Sequence, residues 1–437
     1  MVSNAYWRPF NRPDSGVFID LIRGEGIYLY DQYGKKYIDA NSGLWNVNFG
    51  YDDEEIKEAI KKQLNELPYV NPILIDNKKA RELSSLLCKI THREISKVAY
   101  TCSGSESIDY IIKIARKYSS LKGSNKINIG VIENSYHGSY YGSMSASCYE
   151  EEEKEGYGPM VQGFIKFKFP FCRCCKNDNL SVECKEKMIR DLKNELDMYG
   201  KDLCAIIVEP VIASGGVIDI FEEYMLTLYD YCKRNDILFA CDEVATGFGR
   251  TGEMFRFQKY NIYPDLIALS KGINNGYLPF GAVCISEKIE NEFLKNKEII
   301  FHLSTQNSNP ICVASSLATI NKLLDKDVIN NINYISKYSK VIFKRLLGKF
   351  KCVFDIRVVG LMIAIDLIDK VTGEVLEKNK LNKVLERVYI SGCLVCSSYV
   401  ENKISAILIF PQFISSKQDI DIIAKLIKES LMEIEVD

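Results

Sequence analysis

Lys271 carries the clearest chemical signal in the sequence. It ends the apolar run DLIALS and begins the glycine-punctuated stretch KGINNGYLPFGA. Burying an amine at the end of a strand is costly unless something uses it, and a partly desolvated lysine with a lowered pKa can form a Schiff base with an aldehyde. Gly272, Gly276 and Gly281 indicate a tightly shaped loop around this amine. The alternative is a lysine that ends a strand and points to solvent.

Asp242 offers an acid that matches this amine. It comes out of the hydrophobic run ILFACDE, where an isolated carboxylate would take up a proton unless a cation faces it. A protonated heteroaromatic nitrogen would serve, and this pairing is how proteins make a pyridoxal ring an electron sink. A structural ion pair at the end of a strand is the alternative.

Ser103, Gly104 and Ser105 are candidates for phosphate binding. They join the apolar run KVAYT to the start of a helical stretch. Free backbone amides and the helix dipole can hold a phosphate at such a place. A serine-rich helix cap explains the same residues without a ligand.

Tyr136, His137 and Glu209 follow two further apolar runs. Tyr136 and His137 come after INIGVI, and Glu209 belongs to AIIVEP. Tyr136 could stack on a flat ring, while His137 is either a further cofactor contact or an ordinary buried histidine. Because ligands of open parallel sheets bind outside the carboxyl ends of the strands, we expect all these polar residues to converge on one crevice.

The elements that would position these residues alternate along the chain. Between about residues 96 and 286, short β-rich runs alternate with amphipathic stretches, which indicates an α/β sheet that is largely parallel. One such stretch places Ile108, Ile111, Ile112, Ala115 and Tyr118 on one helical face. After about residue 320 the pattern changes and indicates a smaller α+β domain.

The amino-acid composition and net charge argue against several classes of protein. With 47% hydrophobic and 26% charged residues and a net charge of −2, the 437-residue chain is typical of a globular protein and gives no reason to expect a nucleic-acid partner. We find no secretory signal and no run that approaches a membrane span, so we expect a cytoplasmic protein without membrane contact. The 15 cysteines, an odd number, favour reduced thiols over a disulfide framework.

One group of cysteines has two interpretations. The stretch FCRCCKNDNLSVEC brings Cys172, Cys174, Cys175 and Cys184 close together, which could supply a thiolate metal site. The spacing is irregular for a zinc module, no histidine is near and charged residues intervene. We therefore favour a surface loop with free thiols and assign no metal.

Six ordered motifs resemble those of the class III pyridoxal-phosphate aminotransferases, and the likeness covers nearly the whole chain. They are CSGSES, SYHG, EPVIASGG, CDEVATGFGRTG, LSKGINNGYLPFGA and HLSTQNSNP. The amino-terminal segment DQYGKKYIDANSGLWNVNFGY is also similar, and the elements WRPF and LWN point to the ω-aminotransferase branch.

This resemblance implies the pyridoxal-phosphate-dependent transferase fold of type I. We expect a large domain with a mostly parallel seven-stranded sheet flanked by helices, and a smaller α+β domain. The implied division is an N-terminal segment packing with the small domain at 1–50, the large cofactor-binding domain at 51–320 and the C-terminal small domain at 321–437.

The same resemblance implies roles for individual residues. Lys271 would carry pyridoxal 5′-phosphate as a Schiff base and move the proton, and Asp242 would hold the pyridine nitrogen. The implied cofactor-binding set comprises Ser103, Gly104, Ser105, Tyr136, His137, Glu209, Asp242, Val244, Lys271 and Thr305, with Tyr136 and Val244 on opposite ring faces and with Glu209 and Glu243 supporting this group. Leu44 and Trp45 would line the substrate entrance.

Thr305 carries the implication of a partner subunit. It matches the family threonine that reaches the phosphate of the neighbouring chain, which implies a homodimer with shared active sites. Family members commonly have glycine after the preceding histidine, whereas Leu303 stands here, so the backbone of this loop is expected to run differently.

A departure from the family bears on the substrate. Many relatives place an arginine before the last strands to grip a substrate carboxylate, but GCLVCSSYVENKISAILIFPQF contains none and Cys396 takes that place. Either the carboxylate is held elsewhere, for example by Arg357 or Lys403, or one substrate lacks a carboxylate there.

The expected activity is transfer of an amino group from an amine or amino-acid donor to a ketone, aldehyde or keto acid in two half-reactions. An aminomutase or amino-acid epimerase of the same family is the alternative, because the same lysine can return the proton to a different place. A non-catalytic scaffold linked by metal through the four cysteines is a third possibility, and the presence of Lys271 and Asp242 speaks against it.

Overall fold

The computed structural model describes residues 5–15, 19–176 and 180–436, without the side chains of 433–436. Residues 1–4 and 16–18 of the expected N-terminal segment therefore lie outside the described part. The strands are β1 Leu21–Glu25, β2 Tyr28–Asp31, β3 Lys36–Asp39, β4 Ile95–Thr101, β5 Asn128–Ile132, β6 Phe164–Phe167, β7 Leu203–Val208, β8 Val211–Ile212, β9 Ile218–Asp219, β10 Leu238–Asp242, β11 Leu266–Leu269, β12 Gly281–Ser286, β13 Val353–Val359, β14 Met362–Leu367, β15 Cys393–Leu394, β16 Cys396–Val400 and β17 Ile404–Ile409.

Several helices pack against these strands. The helices are α1 Ser42–Trp45, α2 Glu54–Glu66, α3 Lys78–Ile90, α4 Gly104–Leu121, α5 Tyr141–Ala146, α6 Val182–Tyr199, α7 Glu222–Arg234, α8 Glu287–Asn296, α9 Pro310–Leu323, α10 Lys326–Leu347, α11 Lys378–Ile390 and α12 Lys417–Val436. Short 3-10 turns follow β10 and β11, at Arg256–Tyr260 and Lys271–Asn274.

A seven-stranded sheet forms the centre, in the order β4-β12-β11-β10-β7-β5-β6. Only β12 runs antiparallel to its neighbours β4 and β11, which confirms the mostly parallel sheet. Strands β7, β10 and β11 are buried along their whole length, as expected for parallel strands covered on both faces. The five apolar runs named from the sequence form β4, β5, β7, β10 and β11, and β12 and the edge strand β6 complete the sheet.

Helix α4 illustrates how the sequence pattern becomes packing. The Ser103 side chain accepts a hydrogen bond from the Glu106 amide and caps the first turn. The expected apolar face is buried against the sheet, with Ile108, Ile111 and Ala115 fully inaccessible. Burial of this face fixes the helix start directly after β4, where the candidate phosphate residues lie.

The C-terminal region has its own antiparallel sheet, in the order β13-β14-β17-β16, with α10, α11 and α12 nearby. The N-terminal strands β1, β2 and β3 form a third sheet that includes β15, through the parallel pair Ile38 and Cys393. Strand β3 of the N-terminal segment thus pairs with a strand of the C-terminal region. Among the described helices, none is long and apolar enough to cross a membrane.

Candidate active site

A cavity of about 550 Å³ opens at the carboxyl ends of the parallel strands, as expected from the sequence. Residues that follow β4, β5, β7, β10 and β11 meet there. Its walls are Phe10, Leu44, Trp45, Gly104, Ser105, Tyr136, His137, Gly138, Tyr149, Glu150, Glu209, Ser214, Asp242, Val244, Ala245, Ser270, Lys271, Tyr389, Cys396 and Ser397.

Lys271 lies in this cavity at the end of β11. Its Nζ is 4.3 Å from the centre of the Trp45 ring, and burial lowers the pKa of the amine to about 8. The Lys271 backbone has a φ of +46°, a left-handed conformation that side chains other than glycine rarely adopt. The lysine is therefore held in an uncommon backbone conformation with an amine that is partly neutral near neutral pH.

The glycines after Lys271 allow the loop to pack closely. A Cβ at Gly272 would lie 2.6 Å from Asn48 Nδ2, and one at Gly276 would lie 2.6 Å from Asn46. Gly276 also has a φ of +67°. The tightly shaped loop expected from the sequence is thus formed against the N-terminal segment.

The His137 side chain contacts the Asp242 carboxylate. The His137 Nδ1 and Asp242 Oδ2 atoms are 2.8 Å apart, and the Val244 amide donates to Asp242 Oδ1 at 3.0 Å. All of the His137 ring is buried, and its Nε2 makes no hydrogen bond with the described residues. The histidine therefore orients the carboxylate, which reaches the cavity wall from β10.

Glu209 and Glu243 occupy different surroundings. Glu209 lines the cavity and accepts hydrogen bonds from the Tyr136 amide at 2.8 Å and the Ala213 amide at 3.2 Å. Burial raises the pKa of Glu209 to about 7. Glu243 is buried away from the cavity, where it accepts from the Phe257 amide at 2.8 Å and so braces the loop after β10.

Two glycines allow close packing around the start of α4. A Cβ at Gly104 would lie 2.8 Å from Val244 Cγ1, and one at Gly138 would lie 2.5 Å from Ser105 Oγ. Gly138 also has a φ of +129°. This arrangement brings the amide-bearing first turn of an 18-residue helix to the cavity wall.

Trp45 and Cys396 close the side opposite the sheet. Trp45 Nε1 donates to Cys396 Sγ at 3.3 Å, and the Trp45 ring stacks on Phe410 with centroids 4.3 Å apart. Burial raises the pKa of Cys396 to about 12, so the thiol stays neutral. Leu44 also lines the cavity although 65% of its surface is exposed.

Ser103 and Thr305 lie outside the cavity wall. Ser103 caps α4 and lines a smaller adjoining cavity with Lys271. Thr305 is exposed, and its carbonyl oxygen accepts a hydrogen bond from the Tyr69 hydroxyl at 3.1 Å. Within this chain, Thr305 does not meet the other predicted residues.

The two basic residues proposed to replace the family arginine also lie elsewhere. Arg357 is 1% exposed, and its Nη1 is 2.9 Å from Asp366 Oδ2. Lys403 Nζ is 3.6 Å from Glu133 Oε2. Each of these residues is engaged in an ion pair outside the cavity, and neither Arg357 nor Lys403 lines the cavity wall.

Several wall residues were missed by sequence reasoning. Ser214 stood inside the quoted motif EPVIASGG, so the motif could have revealed it. Tyr149 comes from the loop after α5, and Tyr389 comes from α11 near the C-terminus. No periodicity or motif links these tyrosines to Lys271, because only the packing of distant segments brings them together.

Comparisons with known proteins show which family this chain belongs to. The family model for aminotransferase class-III matches residues 10–431. An acetylornithine aminotransferase of Aquifex aeolicus is 31% identical over 413 residues, covering 94% of this chain and 97% of that protein. A taurine–pyruvate aminotransferase of Bilophila wadsworthia is 30% identical over 427 residues, covering 95% and 92%. The structure of a transaminase from the marine bacterium Virgibacillus superposes with a TM-score of 0.91 at 28% identity, covering 99% of this chain and 98% of that chain.

None of these relatives is named as an isomerase, so nothing here favours the aminomutase or epimerase alternative. The family match spans residues 10–431, and the superposition covers 99% of this chain. This protein therefore belongs to the class-III aminotransferase family and is a pyridoxal-phosphate-dependent enzyme that moves an amino group from a donor to a carbonyl acceptor.

Proposed function

We propose that the cavity around Lys271 is the active site of this transaminase, with Lys271 and Asp242 as its catalytic residues. The observation that carries the proposal is the placement of both side chains in one cavity, on the adjacent strand ends of β10 and β11. The amine has a pKa near 8, and the carboxylate is oriented by a buried histidine.

The residues of this wall fit pyridoxal phosphate. The first turn of α4 suits the phosphate, with Ser105 in that turn and in contact with the Ser139 amide. Asp242 would bind the pyridine nitrogen, and Lys271 Nζ would react with the aldehyde. Tyr136 and Val244 would pack on the two faces of the ring. His137 would position Asp242, and Glu209 would position Tyr136 through its backbone amide.

When bound, pyridoxal phosphate supplies an aldehyde that condenses with amines and a ring that stores electrons. Lys271 would attach the cofactor through Nζ and, once displaced by the donor amine, would take the proton from the substrate carbon. Asp242 would face the ring nitrogen in a fixed orientation, because its Oδ1 accepts the Val244 amide and its Oδ2 contacts His137. The same residues would act in reverse order on the carbonyl acceptor.

We also propose that at least one substrate is bound without an arginine–carboxylate pair. Among the described residues of the cavity wall, Lys271 is the only lysine, and arginine is absent. Cys396 stands where relatives commonly have an arginine, and its neutral thiol cannot replace a guanidinium. An amine, aldehyde or ketone that lacks a carboxylate at that end is therefore favoured.

The test of the active site is covalent labelling. Cofactor-loaded protein is reduced with borohydride, digested and mapped by mass spectrometry, and we expect the label on Lys271. A label on another lysine, or none, would overturn the assignment. A donor screen that pairs each amino acid with its decarboxylated amine then tests the substrate proposal, which fails if only the carboxylated members react.

A homodimer with shared active sites is the proposed assembly. The exposed side chains Ile73, Leu74, Phe301 and Leu303 place apolar surface near the contact between Tyr69 and Thr305, and such surface commonly marks an interface. Thr305 would then reach the partner's cofactor phosphate. Mixed dimers of Lys271→Ala and Thr305→Ala chains should regain activity in one site, and failure to do so would contradict sharing.

The division into 1–50, 51–320 and 321–437 and a cytoplasmic location complete the proposal. Pairing of β3 with β15 supports an N-terminal segment that packs with the C-terminal domain. The 15 cysteines support a reducing compartment. Limited proteolysis that cuts near residues 50 and 320, together with cell fractionation, would check these two points.

A further inference from the structure

The four cysteines of the stretch after β6 converge in space. Their Sγ atoms all lie within 4.8 Å of one another, although Cys184 stands nine residues beyond Cys175 in the chain. Cys184 is the third residue of α6, and the other three belong to the irregular segment before it. We call Cys172, Cys174, Cys175 and Cys184 the cysteine cluster.

The distances within the cysteine cluster match the edges of a tetrahedron. Cys184 Sγ is 3.4 Å from each of the other three sulfur atoms. Cys175 Sγ lies 3.8 Å from Cys174 Sγ and 4.0 Å from Cys172 Sγ. Four thiolates around one zinc ion at about 2.3 Å would have edges of roughly 3.8 Å.

Disulfide bonds do not explain this arrangement. A disulfide holds its two sulfur atoms about 2.05 Å apart. Every distance given above is at least 3.4 Å, and no sulfur pair is set apart from the others as a bonded pair would be. One Sγ atom is nearly equidistant from three others, which suits a common central ion.

The surroundings are suited to thiolates. Cys184 lies in the first turn of the 18-residue helix α6, where the helix dipole favours negative charge, and its amide donates to the Ser181 side chain at 3.2 Å. Cys172, Cys175 and Cys184 are half-buried while Cys174 is exposed, so an ion could enter from solvent. Thiolate ligands select soft or borderline ions such as zinc.

We propose that the cysteine cluster binds one zinc ion as a structural tetrahedral site, separate from the Lys271 cavity. Four thiols lose their protons as four zinc–sulfur bonds form, so binding weakens at low pH. The ion ties the segment after the edge strand β6 to the start of α6. The four cysteines, which the sequence analysis interpreted as free thiols, would then be zinc ligands.

The ion would also fix a contact with the C-terminal region. Arg173 lies between two of the ligands, and its Nη1 donates to the Lys403 carbonyl oxygen at 2.8 Å. Its guanidinium carbon is 4.5 Å from the centre of the Phe354 ring, on β13. Zinc would therefore hold in place the side chain that joins the large sheet's edge to the antiparallel C-terminal sheet.

The experiment measures metal in the full-length enzyme purified with its cofactor. We expect about one zinc per chain by plasma mass spectrometry in the wild type. Cys184→Ser and Cys174→Ser should lose the zinc, whereas Cys88→Ser, a half-buried cysteine of α3 outside the cluster, should keep it. Zinc that is absent from the wild type, or retained by both cluster variants, would overturn the proposal.

Two measurements on the wild-type chain remain informative if the variants fold poorly. A zinc chelator should expose four additional thiols to a thiol reagent and lower the melting temperature. Cobalt in place of zinc should give the intense visible absorption of a tetrahedral thiolate site. Iron at the site, cluster thiols that react fully without chelation, or a disulfide found among these four residues by peptide mapping would each contradict the assignment.

Discussion

The Lys271 cavity and the cysteine cluster gather reactive side chains in different ways. In the cavity, residues from five strand ends face a shared space of about 550 Å³, and the lysine amine contacts a ring rather than an acid. In the cysteine cluster, three ligands of one short segment and one of the next helix face each other with sulfur–sulfur distances as short as 3.4 Å. The first arrangement leaves room for a reactant, and the second leaves room for a single ion.

Because of this difference, the two sites should respond differently to substitution of their residues. The cavity depends on strands β10 and β11, which belong to the buried central sheet, so we expect substitution of a reactive group at a strand end to affect chemistry before stability. The cysteine cluster depends on a segment without regular secondary structure, so loss of its ion should affect stability before chemistry.

Substitution Lys271→Ala should have the largest effect. We expect amino transfer to fall by about 10³-fold or more, because the substrate proton loses its acceptor and the cofactor its attachment. Steady-state kinetics with a responsive donor would measure the loss. Zinc content and the melting temperature should not fall, because the change removes a buried cation whose pKa is lowered.

Lys403→Ala is the matched control for Lys271→Ala, since this lysine lies outside the cavity wall and pairs with Glu133. Its activity should stay close to that of the wild type. Equal losses in the two variants would mean that the cavity is not the active site. A loss of zinc in Lys271→Ala would show that the two regions are coupled.

Asp242→Asn should follow, with a loss of roughly 10²–10³-fold in kcat. Asparagine keeps the shape and the contact to the Val244 amide but cannot balance a positive charge on the ring nitrogen. Borohydride labelling of Lys271 should persist in this variant, because cofactor attachment uses the lysine alone. A wild-type kcat would remove Asp242 from the catalytic residues.

The pH dependence of cofactor attachment should show a change of about tenfold per pH unit below the Lys271 pKa. The amine is reactive only when neutral, and burial sets its pKa at about 8, so the rate should rise with pH up to about 8 and then level off. Stopped-flow absorbance of cofactor-free protein mixed with pyridoxal phosphate would record it. A rate that rises without a plateau towards the ordinary lysine pKa would contradict the burial argument.

Arg173→Ala should have the smallest effect, confined to stability. Loss of the hydrogen bond to Lys403 and of the contact with Phe354 should lower the free energy of unfolding by about 1–3 kcal/mol. Urea unfolding would measure it, with Arg190→Ala on the exposed side of α6 as a control expected to change by less than about 0.5 kcal/mol. A large drop in kcat at full stability would instead link the cysteine cluster to the chemistry.

The sequence predicted the fold and most of the cavity because both depend on local patterns. Apolar runs such as LFACD and LIAL indicated buried strands, and the polar residue after each run was expected at the same edge of a parallel sheet. That reasoning placed Asp242 and Lys271 together before any contact was known. It missed Tyr149 and Tyr389, whose positions depend on how separate segments pack.

Sequence alone also left the replacement for the family arginine open. Arg357 was one candidate for binding a substrate carboxylate. In the folded chain it instead forms a buried ion pair with Asp366. A side chain's direction and its nearest charge are set by contacts across the fold, which spacing along the chain does not encode.

The sequence by itself determined that the reactive groups lie at one edge of a largely parallel sheet, because burial of apolar segments drives sheet formation whatever the details of the loops. Only the tertiary structure decided the cysteine cluster. Its irregular spacing carries no period that predicts convergence, and the four sulfur atoms meet because the start of α6 packs back on the segment after β6. Long-range packing fixes such distances to fractions of an ångström, which sequence spacing cannot do.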